Sequence, residues 1–334
     1  MVVTLKDIAK MCGVSATTAS LVLNDKPVRV SAEKKQMIQE VAKSHSYKPN
    51  SLAVGLVTKR TKTIGLLVPD ISNMFFSQMA KKLESNFSQL GYSLFLCNTD
   101  DNNNLQDKYI KLLYQRGVDA IVICVANDQS SDDNSLKDLK DMNIPIVAFD
   151  RYSPELNCPL VIGDNTGSSC VVVNRLIKLG HTRIACITGP VTKAYSSRLE
   201  GYKQALAQNN IAYDEEIVLQ GDYRFESGYA CAKKLLEKNP TAIFVCNDMM
   251  AYGAYKAIEE AGLRIPQDIS VVGFDDLMFS TMLSVPLTTV RQDIDGMCDK
   301  ITEITYDMIN GKQHQGVSIF SSTVNYRDSI GKAK

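Results

Sequence analysis

The sequence predicts an α/β protein in which an all-α N-terminal domain is followed by a two-lobed core of parallel sheets. The chain has 334 residues, long for one domain, and its 45% hydrophobic and 22% charged residues are typical of a folded protein. The first 60 residues contain short helical patterns separated by Gly and Pro, whereas the remainder alternates apolar strand-like runs with helical patterns. These two regimes predict structural units of different class.

The two regions also differ in charge. Residues 1–60 contain ten basic and four acidic residues, and the remaining 274 contain 27 basic and 33 acidic residues, so the whole chain has no net charge. A basic N-terminal region followed by an acidic remainder is typical of a protein whose N-terminal region binds a polyanion. An ordinary solvated surface explains the charge equally well, so charge alone leaves both interpretations open.

Three short helices are predicted in the first 46 residues. The first spans 5–12, after Thr4 as N-cap, and ends at Gly13, which can adopt a left-handed conformation. Ser15 is expected to cap a second helix to about Asn24, and the third spans 31–46. The predicted core consists of Leu5, Ile8, Ala9, Cys12, Val14, Ala19, Val22, Leu23, Met37, Ile38, Val41 and Ala42.

Two short helices joined by a glycine turn form the helix-turn-helix pattern, whose second helix lies in the major groove of DNA. Ala16 and Thr17, at the start of that helix, are predicted to face base edges. Residues 51–57 form a further short apolar pattern after Pro49. So short a helix is marginal alone, and we expect it to fold only against DNA or a second subunit.

The rest of the chain alternates strands with helices. Apolar runs predict strands at 64–68, 93–97, 120–125, 145–149, 160–162, 183–188, 242–245 and 270–273, and helical patterns include 75–90, 105–116, 167–179 and 251–261. Such repeats imply parallel sheets covered by helices on both faces. The segment 289–292 and the helix that follows it to Asn310 indicate a return to the first lobe. A ligand cleft is expected at the carboxyl ends of the strands.

Polar and aromatic residues follow several of these strands. Each one alone is more typical of a turn, a helix cap or the core. Together they supply carboxylates that accept from hydroxyls, Arg and Asn donors, and aromatic faces, which is the set that a sugar site needs. The candidate ligand residues are Asn73, Phe75, Phe76, Asp150, Arg151, Arg198, Tyr223, Asn247, Asp275 and Gln292.

Several function classes lack their motifs in the sequence. The nine Cys form no CxxC pair and the three His have no metal-ligand spacing, so we expect no disulfide framework, metal or cofactor. An enzyme is not predicted, because phosphate-loop, dinucleotide and nucleophile-elbow motifs are missing. No apolar run approaches ~18 residues and the N-terminus has no secretion pattern, so a cytoplasmic protein without membrane contact is expected. A transport-type sugar-binding protein is thereby disfavoured.

Five segments carry a family resemblance: TLKDIAKMCGVS at 4–15, TASLVLN at 18–24, VS at 30–31, YKPN at 47–50 and TIGLLVPD at 63–70. With them the chain resembles the lactose/galactose-repressor (LacI/GalR) family over nearly its full length. The resemblance implies a DNA-binding transcriptional repressor with a periplasmic-binding-protein-like core. It also implies a hinge helix in which Leu56 is a wedge between base pairs in the minor groove.

The resemblance further implies a set of DNA-contacting residues: Thr4, Ser15, Ala16, Thr17, Thr18, Ser20, Leu21, Asn24, Asn50, Leu52, Ala53 and Leu56. This sequence departs from the family at Leu21, where an Arg or another polar residue is usual. Leu cannot make the bidentate contact that reads guanine, but it can touch a thymine methyl group. Val54 and Gly55 also replace common polar hinge residues. The operator is therefore expected to differ from that of the commonest relatives.

The candidate ligand residues also resemble those of ribose-binding proteins of this fold, with Tyr223 where a Phe is usual, and segments 91–99 and 180–190 are similar to ribose repressors. Ribose is therefore the first ligand candidate, with another pentose, a hexose or a sugar acid as alternatives. The predicted domains are 1–48 for DNA binding, 49–61 for hinge and linker, 62–160 plus 291–320 for the first core subdomain, and 161–290 plus 321–334 for the second.

The resemblance implies a homodimer on a pseudo-palindromic operator, in which sugar binding changes the closure of the lobes and, by allostery, the operator affinity. Release of DNA by sugar is expected, although some family members use their ligand as a corepressor. The final residues, 326–334, contain no heptad pattern, which favours a dimer over a tetramer. A protein corepressor is a further partner that the sequence does not identify.

Overall fold

The computed structural model describes residues 3–47, 60–126, 142–151, 156–190 and 198–334, together with Leu136 and Leu139. The chain divides into two compact units, Met1–Lys62 and Thr63–Lys334. Within these described ranges no helix is long and apolar enough to cross a membrane. The same residues contain no group of three or more His, Cys, Asp or Glu side chains placed to hold a metal ion.

The described residues of the first unit form three helices, α1 (Leu5–Met11), α2 (Ala16–Leu23) and α3 (Ala32–Ser44). The predicted caps are confirmed. Thr4 and Asp7 form a reciprocal capping box at the start of α1, Gly13 has a φ of 62°, and the Ser15 hydroxyl accepts from the Thr18 N–H at 3.0 Å. These local interactions satisfy the backbone N–H groups that a helix start leaves without intrahelical partners.

The core of the first unit is narrower than the sequence predicts. Ile8, Ala9, Cys12, Ala19, Val22, Ile38 and Ala42 are buried, as expected. Met37, predicted to be part of the stripe of α3, has 41% of its surface exposed, so this prediction is wrong. Ile38 and Ala42 are one turn apart and face α1 and α2, whereas Met37 is rotated about 100° from Ile38 and lies beyond the covered face.

The strands that the structure describes in the second unit form two six-stranded sheets. The first sheet has the order β11-β5-β4-β3-β1-β2, with every adjacent pair parallel. Its strands are β1 (Thr63–Val68), β2 (Ser93–Asn98), β3 (Ala120–Ile123), β4 (Ile146–Phe149), β5 (Leu160–Gly163) and β11 (Val317–Phe320). Most of β1 and all of β3 to β5 are buried, which explains why these strands are continuous apolar runs in the sequence.

The second sheet has the order β12-β10-β9-β8-β6-β7, and only the β10–β12 pair is antiparallel. Its strands are β6 (Ile184–Thr188), β7 (Val218–Gln220), β8 (Ala242–Val245), β9 (Ser270–Phe274), β10 (Thr288–Arg291) and β12 (Thr323–Asn325). The chain therefore passes between the sheets after β5, after β10 and between β11 and β12. Three crossings of the chain thus connect the two lobes.

In the described part of the second unit, the α-helices longer than one turn are α4 (Met74–Gln89), α5 (Asn103–Gln115), α6 (Asn165–Lys178), α7 (Arg198–Gln208), α8 (Phe225–Leu236), α9 (Asp248–Glu260) and α10 (Ile294–Ile309). α10 packs on α4 and on strands of the first sheet, so the predicted return to the first lobe is observed. The predicted fold class is confirmed: an all-α N-terminal unit and a two-lobed core whose sheets are parallel apart from one edge pair. The subdomain limits drawn from the sequence stay a prediction. β5 is one strand of the first sheet, and β10 belongs to the second.

The two sheets have the same strand order. In each sheet the second strand is added on one side of the first strand, and the third and later strands are added on the other side. The first strand is β1 in the first lobe and β6 in the second. In open parallel sheets of this type, ligands bind beyond the carboxyl ends of the strands near this switch point. The loops after these strands are therefore the part of the fold that positions a binding site.

Candidate functional site

The start of α2 presents a small polar surface. Ser15 and Thr17 are exposed, and Ala16, Thr18, Ser20 and Leu21 are half-buried. The Thr18 hydroxyl lies 2.8 Å from that of Ser15, and the Asn24 amide donates to the Ser20 carbonyl at 2.8 Å. The helix contains no charged residue, so its surface offers hydroxyl, amide and apolar groups.

Of the predicted DNA-contacting residues, Thr4 is exposed and its hydroxyl is bound to Asp7 at 2.6 Å within the capping box. Asn50, Leu52, Ala53 and Leu56 lie outside the described residues, as does the predicted hinge helix at 51–57. The DNA-contacting set as a whole therefore stays a prediction, and only Thr4 and the members between Ser15 and Asn24 have described surroundings.

In the second unit, the predicted ligand residues meet between the two lobes. Arg198 is at the centre: its Nη2 lies 3.2 Å from Asp275 Oδ1, its Nε donates to Asn165 at 3.0 Å, and it also donates to the Cys246 carbonyl. Gln292 donates to the same Asp275 oxygen at 2.8 Å. The Arg198 and Asp275 side chains are only 11% and 3% exposed, so this ion pair is shielded from water.

One polar atom of this cluster has no protein partner. Among the residues that the structure describes, the buried Oε1 of Gln292 accepts no hydrogen bond. A buried acceptor without a donor is costly, and each such group in a native structure calls for a water, an ion or a ligand. A cavity of about 840 Å³ is lined in part by Asp275 and Gln292. The other eight predicted ligand residues do not line it, so this cavity is not a pocket formed by the whole predicted set.

The ionisation of Asp275 reflects this environment. Burial raises its pKa to about 6, although Arg198 and Gln292 favour the charged form and oppose the shift. Burial also raises the pKa of the Tyr223 phenol to about 12, against the effect of Arg198 and Arg151. Both groups are held in a desolvated site where hydrogen bonds and charges act strongly.

Aromatic rings and a second arginine form the other side of the site. Phe75 and Phe76 contact each other edge to face at 5.2 Å, and both are buried at the start of α4. The Arg151 guanidinium lies 5.9 Å from the centre of the Phe76 ring and 5.3 Å from that of Tyr223. Arg151 belongs to the first lobe and Tyr223 to the second, so this stack bridges the cleft.

The two asparagines of the set have structural contacts. Asn73 caps α4 by accepting from the Phe75 N–H at 3.1 Å. Asn247 caps α9 by accepting from the Met250 N–H at 3.0 Å, and its amide donates to the Tyr223 carbonyl at 2.9 Å. Asn247 therefore positions Tyr223, whatever else it contacts.

Three members of the set have unusual backbone conformations. Asp150, Tyr223 and Asp275 have φ values of 58°, 68° and 111°, in the region that favours glycine. The Tyr223 ring lies over Gly189, where an added Cβ would be 2.0 Å from the ring. Strained residues of this kind are concentrated at binding sites, where the surrounding structure holds them in place.

Sequence reasoning missed two acidic residues of this region. Asp101, after β2, forms an ion pair with Arg151 at 2.5 Å. Asp248 is fully buried, next to the ligand candidate Asn247, and accepts from the Ser280 hydroxyl at 2.6 Å, the Thr289 hydroxyl at 2.7 Å and the Leu277 N–H at 2.8 Å. The sequence shows Asp248 only as an acidic residue in the first turn of a helix, which is ordinarily exposed.

Asp248 is expected to make the stability of the second lobe depend on pH. Burial, and then the nearby carboxylate of Asp275, raise its pKa to about 7 from an ordinary value of 3.8. The folded state therefore binds the proton more tightly than the unfolded state. This stabilisation is full below pH 4 and is lost as the pH rises through 7, with a magnitude of up to about 4 kcal/mol.

The Asp248→Asn variant cannot titrate at this position, so its melting temperature should fall less than that of the native chain between pH 5 and pH 8. Differential scanning calorimetry across this range measures the effect. Asp328→Asn, at an exposed position, is the control and should follow the native profile. Equal slopes for the Asp248→Asn variant and the native chain would contradict the assignment.

Comparisons with known proteins agree with both units. The family model described as bacterial regulatory proteins of the lacI family matches residues 4–50, and that of periplasmic binding proteins and the sugar binding domain of the LacI family matches residues 61–328. The transcriptional regulator DegA of Bacillus subtilis is 36% identical over 299 residues, which cover 89% of this chain and 88% of DegA.

Solved structures are similar over most or all of the chain. The Lac repressor dimer bound to operator and the anti-inducer ONPF has a TM-score of 0.88 at 28% identity, with 99% of this chain and 100% of that one covered. A LacI-family regulator from Enterococcus faecium with bound ribose has a TM-score of 0.71 at 28% identity, with 81% and 100% covered. These relatives are transcription regulators, which confirms the prediction that the chain is not an enzyme. The chain belongs to the LacI family of bacterial regulatory proteins.

Proposed function

We propose that this chain is a transcriptional repressor whose affinity for operator DNA is controlled by a sugar, with ribose as the first candidate, bound between the two lobes of the core. The buried cluster of Arg198, Asp275 and Gln292 carries this proposal. Its three residues belong to the second lobe, Gln292 lies against Gly163 of the first sheet, and Gln292 Oε1 has no donor among the described residues.

The charges of the site favour a neutral ligand over an anionic one. Arg198 is paired with Asp275 and Arg151 with Asp101, so neither guanidinium offers an uncompensated positive charge. Asp150 adds a carboxylate in contact with the Cys124 thiol. A sugar hydroxyl can donate to these carboxylates and a sugar C–H face can pack on Phe76, whereas a sugar phosphate would bring repulsion. The ribose-bound relative from Enterococcus faecium supports a pentose.

The DNA-binding half of the proposal rests on the first unit. Its α2 surface would supply Ala16, Thr17 and Leu21 for base contacts, and the excess of Lys and Arg in segment 1–60 favours contacts with phosphates. Among the proposed contacts, those of Asn50, Leu52, Ala53 and Leu56 with the minor groove rest on the family resemblance. The operator-bound Lac repressor dimer supports a homodimer on a two-fold operator.

The effector is tested first by thermal unfolding of the purified chain with a panel of pentoses, hexoses, sugar acids and sugar phosphates. A ligand at about 100 times its dissociation constant stabilises the folded state by about 2.7 kcal/mol, which raises the melting temperature measurably. A shift with D-ribose and none with sugar phosphates is expected. A shift with another neutral sugar alone would refute ribose but keep the site, and a shift with anionic ligands alone would refute the site chemistry.

The regulatory activity is tested by selecting genomic DNA fragments that bind the chain and measuring fluorescence anisotropy of the selected fragment with and without the stabilising sugar. Release of DNA by sugar is expected, with a coupling of about 1–3 kcal/mol between the two ligands. A tighter complex in the presence of sugar would mean that the sugar is a corepressor. Equal affinity under both conditions would contradict control by this sugar.

A further inference from the structure

An ion pair joins the two lobes at the mouth of the cleft. Arg224, in the second lobe, has its Nη2 at 2.6 Å from Asp100 Oδ1 and its Nε at 3.4 Å from Asp70 Oδ2, both in the first lobe. Asp70 follows β1, Asp100 follows β2, and Arg224 lies between β7 and α8. All three residues are thus at the carboxyl ends of strands, where the two lobes face each other.

The partners are held in position by their own loops. The Asp70 carboxylate accepts from both the N–H and the hydroxyl of Ser72, at 2.9 Å and 2.6 Å. On the other side, the Arg224 N–H donates to Asp222 at 2.9 Å, and the Ser227 hydroxyl donates to the Arg224 carbonyl. The Asp70 side chain and the Arg224 backbone are therefore already ordered, which lowers the entropic cost of bringing the charges together when the cleft closes.

Arg224 is also adjacent in sequence to a residue of the proposed sugar site. Tyr223, in its left-handed conformation, stacks against Arg151 of the first lobe while Arg224 reaches Asp70 and Asp100. One short segment of the second lobe therefore makes both the aromatic and the ionic contact with the first lobe. An opening motion that breaks one contact also strains the other.

We propose that Arg224, Asp70 and Asp100 form an ionic latch that holds the cleft closed over its ligand, with Arg224 as a positioning residue for effector retention. This inference rests on the proposed sugar site between the lobes. The Arg224 side chain is 47% exposed and that of Asp100 62%, so the latch is accessible to salt ions. Screening should weaken it, because the Debye length falls from about 10 Å at 0.1 M to about 3 Å at 1 M salt.

The latch is tested on the full chain with D-ribose, by measuring its dissociation rate in stopped-flow experiments. At 0.1 M NaCl, Arg224→Gln should release ribose about fivefold faster than the native chain, as expected for two partly exposed ion pairs. Arg224→Lys should restore part of the difference. At 1 M NaCl the native chain and the Arg224→Gln variant should converge. The double variant Asp70→Asn, Asp100→Asn should also release ribose about fivefold faster than the native chain. Adding Arg224→Gln to this double variant should cause no further increase in the dissociation rate.

Arg183→Gln is the matched control. Arg183 is 44% exposed and pairs with Asp214 at 3.5 Å within the second lobe, so its loss removes a similar surface charge without affecting the cleft mouth. Ribose dissociation from this variant should equal that from the native chain. Equal effects of Arg183→Gln and Arg224→Gln would overturn the latch, as would a salt-independent effect of Arg224→Gln.

A ligand-free measurement separates the latch from the identity of the sugar. The radius of gyration from small-angle X-ray scattering should be larger for Arg224→Gln than for the native chain at 0.1 M NaCl, and equal for both at 1 M. If D-ribose binds none of the chains, the ribose assignment fails, while this difference still supports the latch. Equal radii at both salt concentrations would overturn the latch even if ribose binds.

Discussion

Replacing Asp275 with asparagine is expected to lower sugar affinity by about 100-fold or more, while operator binding by the folded protein is retained. The substitution removes the negative charge that holds Arg198 and Gln292, leaves one acceptor oxygen in place of two, and leaves a buried guanidinium without its counter-charge. Removing one partner of a buried ion pair typically costs about 3–5 kcal/mol. A tenfold change in affinity corresponds to about 1.4 kcal/mol. A loss of about 2.8 kcal/mol of binding free energy therefore gives the expected 100-fold decrease in affinity.

Calorimetric titration with the sugar found in the ligand screen measures this loss, and anisotropy of labelled operator measures the retained DNA binding. Asp276→Asn is the matched control. Asp276 is the next residue and also has a positive φ, but it pairs with Arg327 and Asn325 within the second lobe. Normal sugar binding by a folded Asp275→Asn variant would refute the site. If that variant does not fold, Gln292→Ala tests the same cluster without leaving a buried charge.

A valine in place of Gly228 is expected to destabilise the second lobe by about 3 kcal/mol or more, at the upper end of the costs of overpacking a core. Gly228 lies where α8 packs against α9. A Cβ at this position would lie 2.2 Å from the Met250 carbonyl oxygen and 2.4 Å from the Met250 Cα. These atoms belong to the backbone, so the helices would have to separate.

Urea unfolding monitored by circular dichroism measures the destabilisation. Ala230→Val, at an exposed position of the same helix, introduces the same β-branched side chain without the close contact, and its effect should be below about 1 kcal/mol. Similar midpoints for the two variants would show that the helices can move apart at little cost. Sugar affinity should fall together with stability in Gly228→Val, because Met250 is held by the Asn247 cap of α9.

Much of the fold was predictable because its signals are local. The caps at Thr4, Gly13 and Ser15 depend on residues within one helical turn, and they appear in the structure as expected. The buried strands of the core could be identified because strands covered on both faces are continuous apolar runs. None of the strand-like runs identified in the sequence corresponds to β7. β7 is only three residues long and not fully buried, so it leaves little signal.

The candidate site was predictable in composition but not in contacts. Polar residues after parallel strands predict which side chains face the cleft, and the resemblance to ribose-binding proteins selects ten of them. Their pairing is a different matter, because Arg198 and Asp275 are separated by 77 residues. Asp101 and Asp248 were missed for the same reason: their partners are set by the packing of whole elements.

The sequence by itself determined the two kinds of unit, the family and the class of residue available at the cleft, because periodicity, caps and motifs are written in neighbouring positions. Only the tertiary structure decided which charges are compensated and which acceptor lacks a donor. It also decided that Arg224 pairs with Asp100 and Asp70, which precede it in the chain by 124 and 154 residues. Long-range pairs and burial arise when two lobes close on each other, and no local pattern specifies the distance between side chains so far apart in the chain.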